Sequence, residues 1–213
     1  MSGTRSLNME KRRSRILEQA RKMLAAGGFD ALNLRELADI SGITVPTIYN
    51  LIGNKAEVLK ALVMGAFTTF EEALEEKLPC PSAELPALMM ATFVQMIVQD
   101  EAYYRATVLA SEALEFEPEG HYHYGFAHNP LRKYFNNLCQ DAINEGLLKG
   151  DIDSALLVEQ MIVNHQVALH RWAHYTISLD ELRREALKGF YITLAADAAD
   201  GFHESIVTRL MEL

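Results

Sequence analysis

Cysteine is nearly absent: Cys80 and Cys139 are the two in 213 residues. They are too few for a disulfide framework, and no C-x-x-C or Cys/His cluster at zinc spacing accompanies them. A reducing, cytoplasmic setting is the simplest expectation. Long apolar runs are missing as well. None approaches the roughly 18 apolar residues that span a bilayer, and the N-terminal stretch is polar and basic without the apolar centre of a secretion signal. No membrane partner is expected. Period-two alternation over strand length is hard to find, which argues against sheets. Catalytic signatures are missing too: no Gly-rich phosphate loop, G-x-S-x-G or H-E-x-x-H occurs, and neither cysteine stands in a signature of activation. An enzyme is not expected, and no cofactor is implied.

Positive charge is in deficit, with 20 Lys and Arg against 29 Asp and Glu and a net charge of −9, yet the deficit is uneven. Residues 1–60 hold ten Lys and Arg against six acids, a local +4 that leaves −13 for the other 153 residues. A small basic module on an acidic body gives a polyanion one place to dock.

What the chain has in abundance is helical periodicity, with apolar residues recurring at three and four spacing. The spacing predicts a first helix over 10–26, with Ile16, Leu17, Ala20, Met23 and Leu24 on one face and Gly27-Gly28 as its stop. Asn33 with Glu36 forms a capping box ahead of a helix over 34–40. Thr44 can cap the next, with Pro46 in a first turn where a missing N–H costs nothing. Asn54 with Glu57 opens a long helix over 55–77. Further amphipathic helices are expected over 82–99, 101–115, 130–145, 154–174 and 179–196, the last behind a third capping box of Ser178 and Glu181. A short helix is expected in the tail from 200. The one long irregular stretch is 116–129.

Two short helices joined by Ser41-Gly42-Ile43 satisfy the spacing of a helix-turn-helix. Leu37, Ala38, Ile43 and Ile48 are spaced for the inward faces. That leaves Thr44, Val45, Thr47, Tyr49 and Asn50 for the outer face of the second helix, where hydroxyl, amide and small apolar groups read base edges or hold phosphates. A core role for Tyr49 is the competing expectation, although Ile48 is the better core candidate. The basic run Lys11-Arg12-Arg13-Ser14-Arg15 is either a solvated face or a second DNA contact.

Here the chain resembles the TetR family of bacterial transcriptional regulators. The matching residues are Arg15-Ile16-Leu17-x-x-Ala20, Gly27-Gly28-Phe29, Asn33-Leu34-Arg35-x-Leu37-Ala38, Ser41-Gly42-Ile43, Thr47-Ile48-Tyr49 and Asn54-Lys55-x-x-Val58-Leu59. The resemblance covers about 50 N-terminal residues. It implies an all-α protein: a three-helix helix-turn-helix DNA-binding module over 1–54, then a helical ligand-binding and dimerisation body over 55–213, about nine helices. It further implies that the second motif helix, with Thr44, Val45, Pro46, Thr47, Tyr49 and Asn50, enters the major groove of double-stranded DNA. Arg35, Tyr49 and Lys55 fall where backbone contacts are usual. Leu51 departs from the aromatic or His of many members, and Ile52 from their Phe. Ile52 still fills a core position, whereas Leu51 cannot hydrogen-bond a phosphate.

In the body, Met89, Phe93, Met96, Tyr103, Tyr104, Tyr134 and Phe135 are candidates to line a ligand cavity, since Met and aromatics adapt to irregular apolar molecules. Core packing explains them equally well. The local cations are few, Arg105, Arg132 and Lys133, so a neutral or cationic, largely apolar effector is expected, with an acyl or other anionic ligand as the alternative. The helix over 154–174 is apolar on more than one flank. Val163, Val167 and His170, with Phe190 and Leu194 of the next helix, are therefore expected at a homodimer interface. Coverage by the C-terminal tail is the competing expectation. His121, His123 and His128 share a loop and His170 stands one turn from His174, but no Cys or carboxylate matches their spacing, so no metal is expected. The resulting expectation is a ligand-responsive transcriptional regulator, a repressor released from a palindromic operator. A dimeric interaction protein that has lost specific DNA binding, and a helical enzyme, are the alternatives.

Overall fold

The computed structural model describes residues 2–115 and 131–213. Their regular structure is helical: α1 (Ser2–Ala31), α2 (Leu34–Ile40), α3 (Val45–Leu51), α4 (Lys55–Glu75), a 3₁₀ turn (Ser82–Glu84), α5 (Leu85–Gln99), α6 (Glu101–Glu115), α7 (Arg132–Asn144), α8 (Ser154–Ala173), α9 (Leu179–Ala195) and α10 (Asp200–Met211). Among the described residues no strand forms beyond a single bridge between Leu148 and Ala198, so the all-α class stands. The stretch 116–129, with His121, His123 and His128, lies outside the described residues. Two compact units emerge, one of residues 2–69 and 100–115, the other of 70–99 and 131–213.

In the first unit α1 packs on α2, α3 and α6. Ile16, Ala20 and Leu24, four residues apart and so on one face, are buried together with Leu37, Ala38, Ile48, Val58, Leu59 and Leu62. The helix α1 starts at Ser2 rather than Glu10, and its regular geometry breaks at Gly28 (φ +69°), where the Gly-Gly pair predicts a stop. Arg21 joins α1 to α6: its Nη2 meets Asp100 Oδ2 at 3.0 Å and its guanidinium lies 4.2 Å over the Tyr103 ring. The Tyr103 hydroxyl in turn donates to the Leu62 carbonyl at 3.1 Å, which fastens α6 to α4. These bonds fix α6 as part of the same body as the helix-turn-helix.

The second unit is built on the antiparallel pair α8 and α9, with α7 on the former and α5 and α10 on the latter. Trp172, Phe135 and Phe190 are its largest fully buried side chains. The two central helices approach so closely at Gly189 that a Cβ there would stand 2.5 Å from Asn164 Cβ. Asn164 Nδ2 uses the approach to donate to the Gly189 carbonyl at 3.1 Å. Asp197, buried, accepts backbone N–H bonds from Gly150, Asp151 and Ile152 at 2.9, 3.0 and 3.1 Å. It thereby clamps the turn between α7 and α8 to the end of α9. Ser178 and Glu181 complete the capping box that their spacing predicts, with bonds of 3.2 and 2.7 Å.

One sequence expectation needs correction in this unit. Phe190 and Leu194 face their own core, each 1% exposed, because α9 is flanked by α5, α8 and α10 and these take its apolar face. Val167 is 55% exposed, with Leu156 and Ile192 also among the large apolar side chains left on the outside. His170 is exposed and Val163 half-buried. Coverage by the tail is partial: α10 buries Phe202 and Ile206, yet those three side chains stay open.

Candidate nucleic-acid interface

The local order of the helix-turn-helix comes from short-range bonds. Asn33 Oδ1 accepts the Arg35 and Glu36 N–H groups at 2.8 and 3.4 Å, satisfying two donors that open α2. At the other end Gly42 adopts φ +63°, and the Gly42 and Ile43 N–H groups return to Asp39 and Ala38 carbonyls at 3.0 Å. The left-handed conformation at this corner suits glycine. The Arg15 guanidinium, from α1, donates to the Ser41 carbonyl and ties the turn to the first helix. Arg15 therefore has a structural role, one that the basic run alone does not reveal.

Thr44 precedes α3 with extended backbone, but its side chain makes no cap bond. Its hydroxyl lies 2.9 Å from the Thr47 hydroxyl instead. Capping by Thr44 is thus corrected: the two hydroxyls engage each other on the side of the helix. Pro46 sits in the first turn as the sequence predicts. Beyond α3, Gly53 takes φ +129°, and a Cβ there would meet Glu57 Cβ at 2.8 Å. Asn54 Oδ1 then accepts the Glu57 N–H at 3.0 Å to start α4.

This scaffold buries Ile48 completely and leaves Thr44, Pro46, Tyr49 and Asn50 exposed, with Val45 and Thr47 half-buried. Tyr49 is 54% exposed, which removes the core reading of that ring. Arg35, Val45, Tyr49 and Lys55 converge on one open groove of about 560 Å³, shared with Asp30, Leu32, Asn33 and Leu34. Thr44, Pro46, Thr47 and Asn50 lie outside that groove, on α3 and its cap. Lys55 is held over the Phe29 ring, Nζ 4.3 Å from its centre, a placement that orients the ammonium without neutralising it. The role of Phe29 in holding this lysine has no sequence signal beyond its place directly after Gly27-Gly28, a motif position. Leu51 and Ile52 are half-buried.

The residues expected to line a ligand cavity fall in both units. Tyr103 and Tyr104 are buried in the first, their rings edge-on at 5.0 Å. Met89, Met96, Tyr134 and Phe135 are buried in the second, where Phe93 is half-buried. The cations singled out in the middle helices are all paired with carboxylates: Arg105 with Glu101 at 2.5 Å, Arg132 with Glu159 at 2.7 Å and Lys133 with Glu71 at 2.7 Å. Burial in the second unit's core pushes the Cys139 thiol up to about 11, which keeps it a protonated packing group.

Residues 16–62 match the family described as bacterial regulatory proteins, tetR family. The HTH-type transcriptional repressor KstR2 of Mycobacterium tuberculosis is 25% identical over 151 residues, 68% of this chain and 74% of that protein. SmeT, the repressor of the Stenotrophomonas maltophilia multidrug efflux pump SmeDEF, shares the fold with a TM-score of 0.67 and 23% identity over 89% of this chain and 92% of its own. A gamma-butyrolactone receptor described as ArpA-like matches with a TM-score of 0.59 and 18% identity, covering 96% of this chain and 97% of that one. The helix-turn-helix geometry and the matched residues agree, so residues 16–62 of this chain are similar to the DNA-binding module of the tetR family of bacterial regulatory proteins.

Proposed function

We propose that this chain is a cytoplasmic, homodimeric repressor, without enzymatic activity, that holds a palindromic operator in double-stranded DNA and releases it when a small, largely apolar molecule binds its helical body. The observation that carries the reading is the outer side of α3: Thr44, Tyr49 and Asn50 exposed above a buried Ile48, beside a groove that gathers Arg35, Tyr49 and Lys55. Phosphate contacts from Arg35 and Lys55 would set register, and Thr44, Thr47 and Asn50 would read base edges. The division 1–54 for DNA and 55–213 for ligand and dimerisation describes roles rather than compact units.

Dimerisation is supported by the exposed apolar side chains of α8 and α9, Leu156, Val167 and Ile192. A homodimer that reads a palindrome needs its two reading helices about 34 Å apart, on successive major grooves. The paired state of Arg105, Arg132 and Lys133 supports a neutral effector, because an anion would have to displace a carboxylate already in place. The relatives support repression and ligand response: KstR2 is named a repressor, and SmeT is a repressor with a solved triclosan complex. Release requires that the effector bind the DNA-incompetent state more tightly. The helix α4 runs from Lys55 to Glu75 and is the element proposed to carry the response to Lys55.

Fluorescence anisotropy on a cognate palindrome and on random duplexes tests this. Affinity is expected to fall steeply with salt as phosphate contacts release counterions. Lys55→Ala should weaken binding to both duplexes, whereas Thr47→Ala should narrow the difference between them by about 1–3 kcal/mol if it removes a base-edge interaction. Equal losses on every sequence from both variants would remove α3 from the reading role.

A further inference from the structure

In the second unit the buried Tyr134 hydroxyl and His165 Nδ1 both lack a hydrogen-bond partner among the described residues, and His165 is the one with phenylalanine rings on two sides. It lies mid-way along α8 and is 4% exposed. Leaving such an atom unpaired in the interior is a cost that buried polar groups in proteins escape nearly everywhere. Its surroundings are rings. Phe93 meets His165 edge-on at 5.4 Å and Phe190 stacks on it at 6.3 Å. The rings continue outward on both sides: Phe70 lies 6.0 Å from Phe93 and 6.4 Å from Tyr134, and Phe135 lies 5.1 Å from Phe190.

We infer that His165 is the polar anchor of the effector site, and that the effector is an uncharged, flat apolar molecule with a hydroxyl or carbonyl that bonds to its Nδ1. The inference rests on the reading of the chain as a ligand-responsive regulator and adds the chemical class that the body recognises. A neutral imidazole offers one donor and one acceptor, so either group finds a partner there. Burial holds the imidazole uncharged, its pKa lowered to about 4, and a neutral ring gives no ion-pairing to a carboxylate ligand. Phe93, the half-buried member of the ring series, packs edge-on against His165 at 5.4 Å and is the ring through which a planar molecule would reach the imidazole. The phenylalanines supply dispersion and edge-to-face contact without direction. Direction then falls to the unpaired Nδ1, which stands among the rings. A site built to bond a substrate hydroxyl rejects the analogue lacking it far more strongly than an apolar site separates sizes.

The full-length protein is titrated by calorimetry with 2-naphthol, with naphthalene as the analogue lacking the hydroxyl, and with 2-naphthoate as the anionic one. The wild type is expected to bind 2-naphthol at least tenfold more tightly than naphthalene and to bind 2-naphthoate weakest. His165→Phe keeps a ring among rings and should erase the tenfold preference while still binding naphthalene. His165→Gln keeps a donor and an acceptor and should restore the preference, which separates loss of the anchor from loss of folding. Equal affinity for 2-naphthol and naphthalene in the wild type overturns the inference, as does a preference that survives in His165→Phe, strongest binding of 2-naphthoate, or no binding of any probe. Operator affinity is measured alongside by anisotropy. A His165-dependent preference with no operator release contradicts the regulatory reading alone, and operator binding without the preference contradicts the anchor alone.

Discussion

The helix-turn-helix and the α8–α9 bundle are held together by different means. In the first, order depends on short-range polar bonds and on single glycines: Asn33 at the start of α2, Gly42 at the corner, Gly53 and Asn54 between α3 and α4. In the second, order depends on volume, with Trp172, Phe135 and Phe190 fully buried and long-range partners such as Asp197 for residues 150–152. A module that, on the proposed function, presents one face to a polyanion has little apolar surface to spare, so its corners are fixed by conformation. On the proposed function the body accommodates a ligand and a second copy, and packing of this kind tolerates repacking.

Breaking the core of the body should have the largest effect. Phe190→Ala removes a ring packed on Phe135 and is expected to cost about 3–5 kcal/mol, read as a lower urea midpoint in far-ultraviolet circular dichroism. Unchanged stability would mean that the ring is not part of the core. Acid should come next. His165 binds its proton near pH 4 in the fold against about 6.5 in the unfolded chain. The unfolded state therefore takes up the proton first as pH falls, so the contribution is intact above about 6.5 and stability declines between there and about 4, by about 3 kcal/mol in total. His165→Phe should flatten that part of the stability profile, and a profile unchanged from wild type would place the histidine in contact with water.

Glycine tests the module. Gly53→Ala forces a side chain into φ +129° and against Glu57, with an expected cost of about 1–3 kcal/mol and a loss of operator affinity. Gly146→Ala in the body has a positive φ but open space around it, so about 1 kcal/mol is expected from conformation alone. Equal effects would erase the contrast. The caps sharpen it at the smallest scale. Asn33→Ala and Ser178→Ala should each cost about 1 kcal/mol, but only Asn33→Ala should also weaken DNA binding, because Asn33 lines the groove with Arg35 and Lys55.

The same contrast explains what is legible in the sequence. Helices α2 and α6 match their expected ends, Leu34–Ile40 and Glu101–Glu115, since caps and breakers act within a few residues. The early start of α1 at Ser2 is not legible, because residues 2–9 offer several cap-type residues without a capping box and no apolar stripe. Phe190 and Leu194 read as partner-facing in the sequence, since periodicity reports an apolar stripe but not which neighbour covers it. The clamp made by Asp197 is invisible for a related reason: its partners are 45–47 residues away, and a lone Asp carries no spacing signal. At the nucleic-acid side, the exposure of Tyr49 and the burial of Ile48 follow from helical spacing, whereas the tie from Arg15 to the turn requires the fold.

Selection of bound sequences from a random duplex library, run in parallel with the wild type and Asn50→Ala, tests the central claim most directly. The wild type should enrich a palindrome with half-sites about one helical turn apart, and Asn50→Ala, altered on the exposed side of α3, should enrich a palindrome of the same spacing with changed bases. Enrichment of no palindrome by the wild type, or of an identical sequence by both proteins, would contradict the assignment of α3 as the helix that reads DNA.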